Sequence, residues 1–262
     1  MAIMRVLILS DLHANWPALE AIDERFDLCL CLGDLVDYGC EPAPVIDWVR
    51  RRAICVRGNH DHAVAQNVIT NGVTGFRYLS GVTRPISRER ISETDRRYLA
   101  GLPVTKYLTI EGKRFLLVHA TPRDTLDEYA TTDPDFWKRR VEGVGADVVC
   151  VGHTHQTYEI LVGSTCVINP GSVGLPRDGD PRASYAIWEN GAVSFKRVAY
   201  DVERTVRTVQ EAALPDQAKE MLTQVYRTGV LPNGFNKGMN GVQSRNGVYL
   251  QSSATILSAP GG

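Results

Sequence analysis

The stretch VLILSDLHAN, residues 6–15, decides the fold. Val6-Leu7-Ile8-Leu9 is too short for a helix and apolar at every position, the pattern of a strand covered on both faces. It breaks at once into Ser10-Asp11-Leu12-His13, which sets a carboxylate and an imidazole two residues apart. The same strand-then-turn unit recurs. Leu28–Leu32 precedes Gly33-Asp34-Leu35-Val36-Asp37, and Ile54–Val56 precedes Gly58-Asn59-His60-Asp61. Phe115–Val118 leads into His119, and Val148–Val151 into Gly152-His153-Thr154-His155. Buried strands ending in polar turns place their terminal side chains on one sheet edge. Together these turns would deliver Asp, His, Asp, Asn, His, His and His to a single crevice, which is a metal site with too many ligands for one ion. Five of the six histidines fall in these motifs; His62 belongs to none and reads as a surface or rim residue.

Outward from these turns, strands and helices alternate. Asn15 is placed to cap a helix with Pro17 in its first turn, running on through Leu19, Ile22 and Phe26. A second helix starts near Pro42, buries Val45, Ile46 and Val49, and ends on Arg50-Arg51-Arg52, which complement its dipole. Residues 62–103 carry no ligand motif and read as a helical insertion. Its Arg77, Arg84, Arg88, Arg90, Arg96 and Arg97 could meet an anionic substrate. The interleaved Glu89, Glu93 and Asp95 favour a solvated helical face instead. Later strands are expected to be shorter and hairpin-like, with Asn190-Gly191 as a two-residue turn, followed by amphipathic helices at about 201–213 and 215–228.

Composition narrows the class. A chain of 262 residues can bury one sizeable core, and a net charge of −1 gives no basic field for nonspecific nucleic-acid binding. The short N-terminal apolar run suits neither a membrane span nor a signal peptide, so a cytoplasmic protein is expected. The six cysteines (29, 31, 40, 55, 150 and 166) contain no CxxC pair and read as buried thiols, with no disulfide framework.

The set SDLHAN (10–15), GDLVDYG (33–39), RGNHD (57–61), HATPRD (119–124), GHTHQ (152–156) and NPGSVGLPRDGDPRAS (169–184) resembles the calcineurin-like metallophosphoesterase superfamily, its small bacterial and archaeal branch most closely. The likeness covers roughly the first 200 residues. It implies a four-layer α/β/β/α sandwich of two mixed sheets with a dinuclear metal site at one rim, within a domain spanning residues 1–228. By the same resemblance Asp11, His13 and His155 hold one metal, Asn59, His119 and His153 the other, and Asp34 bridges them. Imidazole with carboxylate suits Mn, Fe or Zn better than Mg or Ca, and Mn is favoured. The implied reaction is attack of a metal-bridging hydroxide on phosphorus. His60 is the candidate general acid, adjacent to a metal ligand yet free of the metals, and the resemblance makes Asp37 its orienting partner. Asp61 is expected to cap the following helix.

One departure matters. The protein Ser/Thr phosphatases and dinucleoside tetraphosphate hydrolases of the superfamily carry GDxxDRG, whose Arg grips phosphate; this chain has Tyr38 there. A phenol donates one hydrogen bond and no charge, which weakens both of those assignments and opens the pocket. Arg177 or Arg123 could substitute, or each could form a surface ion pair with Asp178 or Asp124. Arg57 is expected to pack structurally. The run NPGSVG (169–174) reads as backbone architecture, with contact to substrate through its NH groups as the alternative. From residue 229 onward the chain holds seven glycines and no acid, and reads as a flexible or loosely docked tail. The sequence therefore points to a metal-dependent phosphoesterase acting on small-molecule or nucleotide phosphodiesters or monoesters. A protein Ser/Thr phosphatase, a dinucleoside polyphosphate hydrolase and a non-catalytic binding scaffold are the alternatives. No membrane contact and no nucleic-acid groove are expected, and a homo-oligomer is compatible with the chain.

Overall fold

In the computed structural model, which describes residues 4–232, the opening apolar run forms β1 (Val6–Leu9) and α1 (Trp16–Glu20) follows it. Asn15 caps α1 by accepting from Ala18 N at 3.3 Å. The helix stops at Glu20, short of the expected Phe26. Arg5 takes the following segment instead: its Nε donates to Arg25 O, its Nη2 pairs with Glu24, and its backbone NH binds the Asp27 carboxylate. Ile22 and Phe26 still pack against the core, from irregular backbone.

The chain continues through β2 (Leu28–Cys31), α2 (Pro42–Arg52), β3 (Ile54–Cys55), α3 (Asn59–Gln66), α4 (Gly75–Glu89) and α5 (Glu93–Gly101). Then come β4 (Thr105–Ile110), β5 (Lys113–Val118), α6 (Pro134–Val141), β6 (Val148–Cys150), β7 (Thr157–Val162) and β8 (Thr165–Pro170). The hairpin β9 (Ala183–Glu189) and β10 (Ala192–Val198) precedes α7 (Val202–Glu211) and α8 (Asp216–Thr228). The late strands run six or seven residues against two to four in β1–β3, so the expectation that they would be shorter is corrected. Direct hairpins let the late strands extend, whereas the early ones break off into the polar turns.

The strands form two five-stranded mixed sheets, ordered β10-β9-β1-β2-β3 and β4-β5-β6-β8-β7. In the first, β1, β2 and β3 are parallel; in the second, β5, β6 and β8 are. Alternation along each strand builds the layers. Val6, Ile8, Leu30 and Val56 meet Phe115, Leu117, Val148 and Ile168 between the sheets. Leu7, Leu9, Cys29 and Cys31 face α1, α2, α3 and α5, while Leu116, Val118 and Val149 face Trp137 of α6. This is the expected α/β/β/α sandwich. Both faces of the parallel strands are dry, so truncating Leu7 or Ile8 to Ala would cost about 2–5 kcal/mol.

A further apolar cluster joins α4, α7 and α8 to Tyr38, Cys40 and Leu175, seating these helices beside the turns that follow β2 and β8. The helix α8 ends on Gly229 at φ 69, and Leu231 still packs in this cluster; the rest of the glycine-rich tail lies outside the described residues. All six thiols are free, five of them buried. No helix among the described residues is long and apolar enough to cross a membrane.

Candidate metal centre

The turns at the ends of β1, β2 and β6 use backbone that most residues avoid. Asp11, His13, Asp34, Asp37, Tyr38, His153 and His155 all have φ between 45° and 67°. Holding a non-glycine residue there costs on the order of 1–3 kcal/mol, so the surroundings must over-determine each one. Apart from these and Ala14, only Asn67, Glu111 and Asn190 share that conformation among the described non-glycine residues. The turns lock one another. Asp11 N donates to Gly33 O, His13 N to Asp34 O, and Gly152 N to His119 O, at 2.8–3.0 Å.

Asp61 does more than cap α3. Its carboxylate accepts from Gly58 N at 3.0 Å, the cap, and also from Asp34 N and Leu35 N at 2.8 Å, which ties α3 to the turn after β2. Burial and the nearby Asp34 raise its pKa to about 7. The NPGSVG run behaves as scaffold: Ser172 Oγ donates to Asp11 O and accepts from Leu175 N, while Asn169 Nδ2 donates to Gly152 O. Only glycine fits at 58, where a Cβ would stand 2.0 Å from Asp34 Oδ1.

Within this frame the donor atoms converge as two buried triads, Asp11–His13–His155 and Asp34–His119–His153, each with its ligand atoms within 4.8 Å of one another. Asn59 joins the second, its Oδ1 3.1 Å from His119 Nε2. His13, His119 and His155 each place Nδ1 against a backbone carbonyl, of Val36, Leu32 and Leu175. In His13 and His155 that contact makes Nδ1 the donor and leaves the Nε2 lone pair free; in His119 it turns Nε2 toward Asp34. His13 Nε2 and His155 Nε2 then face each other at 3.1 Å, lone pair to lone pair. Asp34 Oδ2 lies 3.2 Å from His119 Nε2 and 3.9 Å from His13 Nε2, so it touches both groups as a bridge would. Asp11 Oδ1 and His153 Nε2 are buried without a hydrogen-bond partner. Converging lone pairs and orphaned acceptors are unfavourable unless a cation lies among them. The residues fit a pair of divalent ions.

Electrostatics agree. Burial opposes ionisation of Asp34, but His119 and His60 outweigh it and hold the carboxyl well below its usual range. Asp11 is lowered too, His155 overriding the effect of burial. Burial holds His13 and His155 down and takes His153 to about 3, so these imidazoles stay neutral, as metal ligands must. His119 is the exception: Asp34 overcomes burial and lifts its pKa to about 10, a positive charge that a divalent cation would supply instead.

His60 borders this cluster. Its Nδ1 is 2.8 Å from Asp37 Oδ2, and its Nε2 is 3.9 Å from Asp34 Oδ2 and 3.4 Å from Tyr38 Oη. Arg177 comes in from the loop after β8. Its Nη1 donates to Tyr129 Oη at 3.0 Å, its Nη2 reaches Tyr38 Oη at 3.4 Å, and its guanidinium lies 3.8 Å from the Phe76 ring centroid. Arg177 is thus not a partner of Asp178, which pairs with Arg197. The charge absent from Tyr38 itself thus stands beside its hydroxyl on Arg177. Arg123 stays exposed, and Asp124 Oδ1 caps the NH groups of Leu126 and Asp127 rather than pairing with it. Arg57 packs as expected, donating to Ala100 O. His62 is half-buried, with its Nδ1 enclosed.

Three contributors were not legible as site residues. Tyr129 lies tilted against His153 with ring centroids 4.7 Å apart, and Phe76 backs Arg177; neither has a local motif. Arg84 is buried rather than solvated, donating from Nε and Nη2 to Asp37 Oδ2. Its signal was the stripe Leu79-Thr83-Ile86-Ser87, the buried face of α4 into which it falls. The exposed pairs of Glu93 with Arg96 and Arg97 do form the solvated face expected of the insertion.

Residues 4–191 match the family described as the Calcineurin-like phosphoesterase superfamily domain. The chain belongs to that superfamily. It is 28% identical to the uncharacterized Methanocaldococcus jannaschii protein MJ0912, over 83% of this chain and 96% of that one. It is 26% identical to the Escherichia coli phosphodiesterase YfcE, over 73% of this chain and 90% of that one. Among solved structures, a metallophosphoesterase from Sphaerobacter thermophilus superposes with a TM-score of 0.72 at 33% identity, covering 87% of this chain and all of that chain.

Proposed function

We propose that this protein hydrolyses phosphoesters of small molecules or nucleotides, diesters ahead of monoesters, at two divalent cations. Asp11, His13 and His155 would hold one, Asn59, His119 and His153 the other, with Asp34 between them. Bound there, the cations would acidify a water and neutralise charge on the phosphoryl oxygens. The mixed imidazole and carboxylate donors favour Mn, Fe or Zn, with Mn first.

The observation that carries the reading is the pose of His60. Asp37 holds its Nδ1, which turns Nε2 toward Asp34 at the centre of the donor cluster. From there Nε2 donates a proton to the leaving oxygen as its bond to phosphorus breaks. Arg177, Tyr38 and Tyr129 form a polar wall beside His60 and orient the phosphate. One guanidinium matches the single charge of a diester, and the Escherichia coli relative is named a phosphodiesterase.

The test pairs a p-nitrophenyl phosphodiester with the monoester, on manganese-loaded protein and a chelated control. Metal-dependent turnover with the diester faster is expected, and His60→Ala should lower the rate on a matching alkyl ester, whose alkoxide needs a proton to leave, by about 10²–10⁴-fold. Protein that holds both metals yet turns over neither p-nitrophenyl ester, or a His60→Ala rate within a factor of two on the alkyl ester, would remove the assignment.

A further inference from the structure

Arg84 lies on α4, outside every metal-binding turn, yet its side chain is nearly fully buried against the catalytic pair. Its donors are almost all committed. Nε and Nη2 donate to Asp37 Oδ2 at 3.0 and 2.7 Å, and Nη1 donates to Val68 O at 3.0 Å and to Thr70 Oγ1. An arginine so occupied is not available to grip a phosphate.

Asp37 Oδ2 also receives His60 Nδ1, so one oxygen takes three donors while Oδ1 is buried and has none. A carboxylate held by a single nitrogen can pivot about its χ2 and offer either oxygen. The planar fork of Arg84 removes that freedom, because both of its nitrogens meet the oxygen that His60 uses. Two further contacts from α4 fix the backbone below: Ser87 Oγ accepts from Asp37 N, and Thr83 Oγ1 accepts from Tyr38 N. Both residues are in left-handed backbone and need such support.

We infer that Arg84 is a positioning residue for leaving-group protonation, the outer member of a His60–Asp37–Arg84 relay through which α4 sets the direction of the His60 ring. The inference rests on the reading of His60 as general acid. In the step it serves, a water-derived oxygen forms a bond to phosphorus while the P–O bond to the leaving group breaks with its electron pair on the leaving oxygen. The proton on His60 Nε2 moves to that oxygen while Asp37 keeps Nδ1–H in place. Arg84 touches neither substrate nor reacting atoms, and acts only through the orientation of Asp37.

Leaving-group dependence separates this role from plain structural support. A p-nitrophenolate leaves without help from an acid, whereas a poor leaving group such as an alkoxide requires it. Rates on a graded ester series would be measured for wild type, His60→Asn, Arg84→Met and Arg84→Lys, each manganese-loaded. Comparing esters within one preparation cancels any loss of folded protein. His60→Asn and Arg84→Met should both lose activity more steeply as the leaving group worsens, Arg84→Met by roughly tenfold or more between the ends of the series, in line with loss of part of a general-acid contribution. Arg84→Lys, with charge but no fork, should fall between wild type and Arg84→Met. If His60→Asn steepens the series and Arg84→Met lowers all esters by one factor, the relay is wrong and Arg84 is only structural. If His60→Asn itself fails to steepen it, the general-acid reading fails, and the relay with it.

Discussion

At the rim, seven site residues occupy left-handed backbone and are locked by hydrogen bonds passing from one turn to the next; Arg84 reaches the same site from ordinary helix, by side-chain length alone. The two regions fail differently. A rim turn has no slack: Gly58 cannot accept a Cβ, and Asp34 is held through its own NH by Asp61 and through Oδ1 by His60 N. A change there disturbs several donors together. A change on α4 removes one anchor and leaves the donor cluster standing. Damage to the rim should therefore remove metal and activity together, while damage to α4 should alter catalysis with metal retained.

The largest effect is expected from Asp34→Asn. It keeps the shape but removes the charge that touches both groups of donors. Metal content should fall, and kcat/KM should drop beyond the roughly 10²–10⁴-fold a general acid supplies. Elemental analysis of the purified variant beside Arg84→Met checks both halves, since Arg84→Met should keep its full metal complement. An Asp34→Asn protein that binds both metals and works within tenfold of wild type would dissolve the distinction between the two regions.

Chelation should act next in size, and on stability. Orphaned acceptors such as Asp11 Oδ1 and His153 Nε2, and the opposed Nε2 atoms of His13 and His155, are contacts a cation relieves. A ligand present at a thousand times its Kd stabilises the fold by about 4 kcal/mol. For a domain of this size that is on the order of 10 °C in Tm. Scans with and without chelator, run on wild type and Arg84→Met, should show the same shift in both. A shift absent from wild type would argue that the rim is stable without cations.

What could be read beforehand follows from the same physics. Each rim turn is a local unit, an apolar run followed at once by its ligands, so VLILSDLH and VVCVGHTH announce both strand and donors. The layers were legible because β1, β2 and β6 and the second half of β5 are apolar runs buried on both faces. Where α1 ends was not, because Arg5 captures residues 24–27 from outside the helix. The role of Arg84 was hidden for a related reason. Six arginines of the insertion look alike in sequence, and only the docking of α4 decides which one turns inward. Arg177 was named by its motif, but its partners Tyr129 and Phe76 come from distant segments that carry no signal of their own.

The smallest expected effect tests whether left-handed backbone by itself explains the rigidity of the rim. Asn190 has φ 54 and Gly191 φ 75 in the β9–β10 hairpin, the same backbone region as Asp11 or His155 but with no donor role. Asn tolerates that region better than Ala because its short polar side chain can hydrogen-bond the local backbone, so Asn190→Ala should cost about 1 kcal/mol. That corresponds to roughly 2–4 °C in Tm. Metal content, kcat/KM and the leaving-group series should all match wild type, because β10 is the sheet edge farthest from the turns after β2 and β3. If Asn190→Ala instead lowered metal uptake, strain in the first sheet would reach the rim through β9 and β1. The rim turns would then owe their geometry to the whole sheet and not to the hydrogen bonds that join one turn to the next.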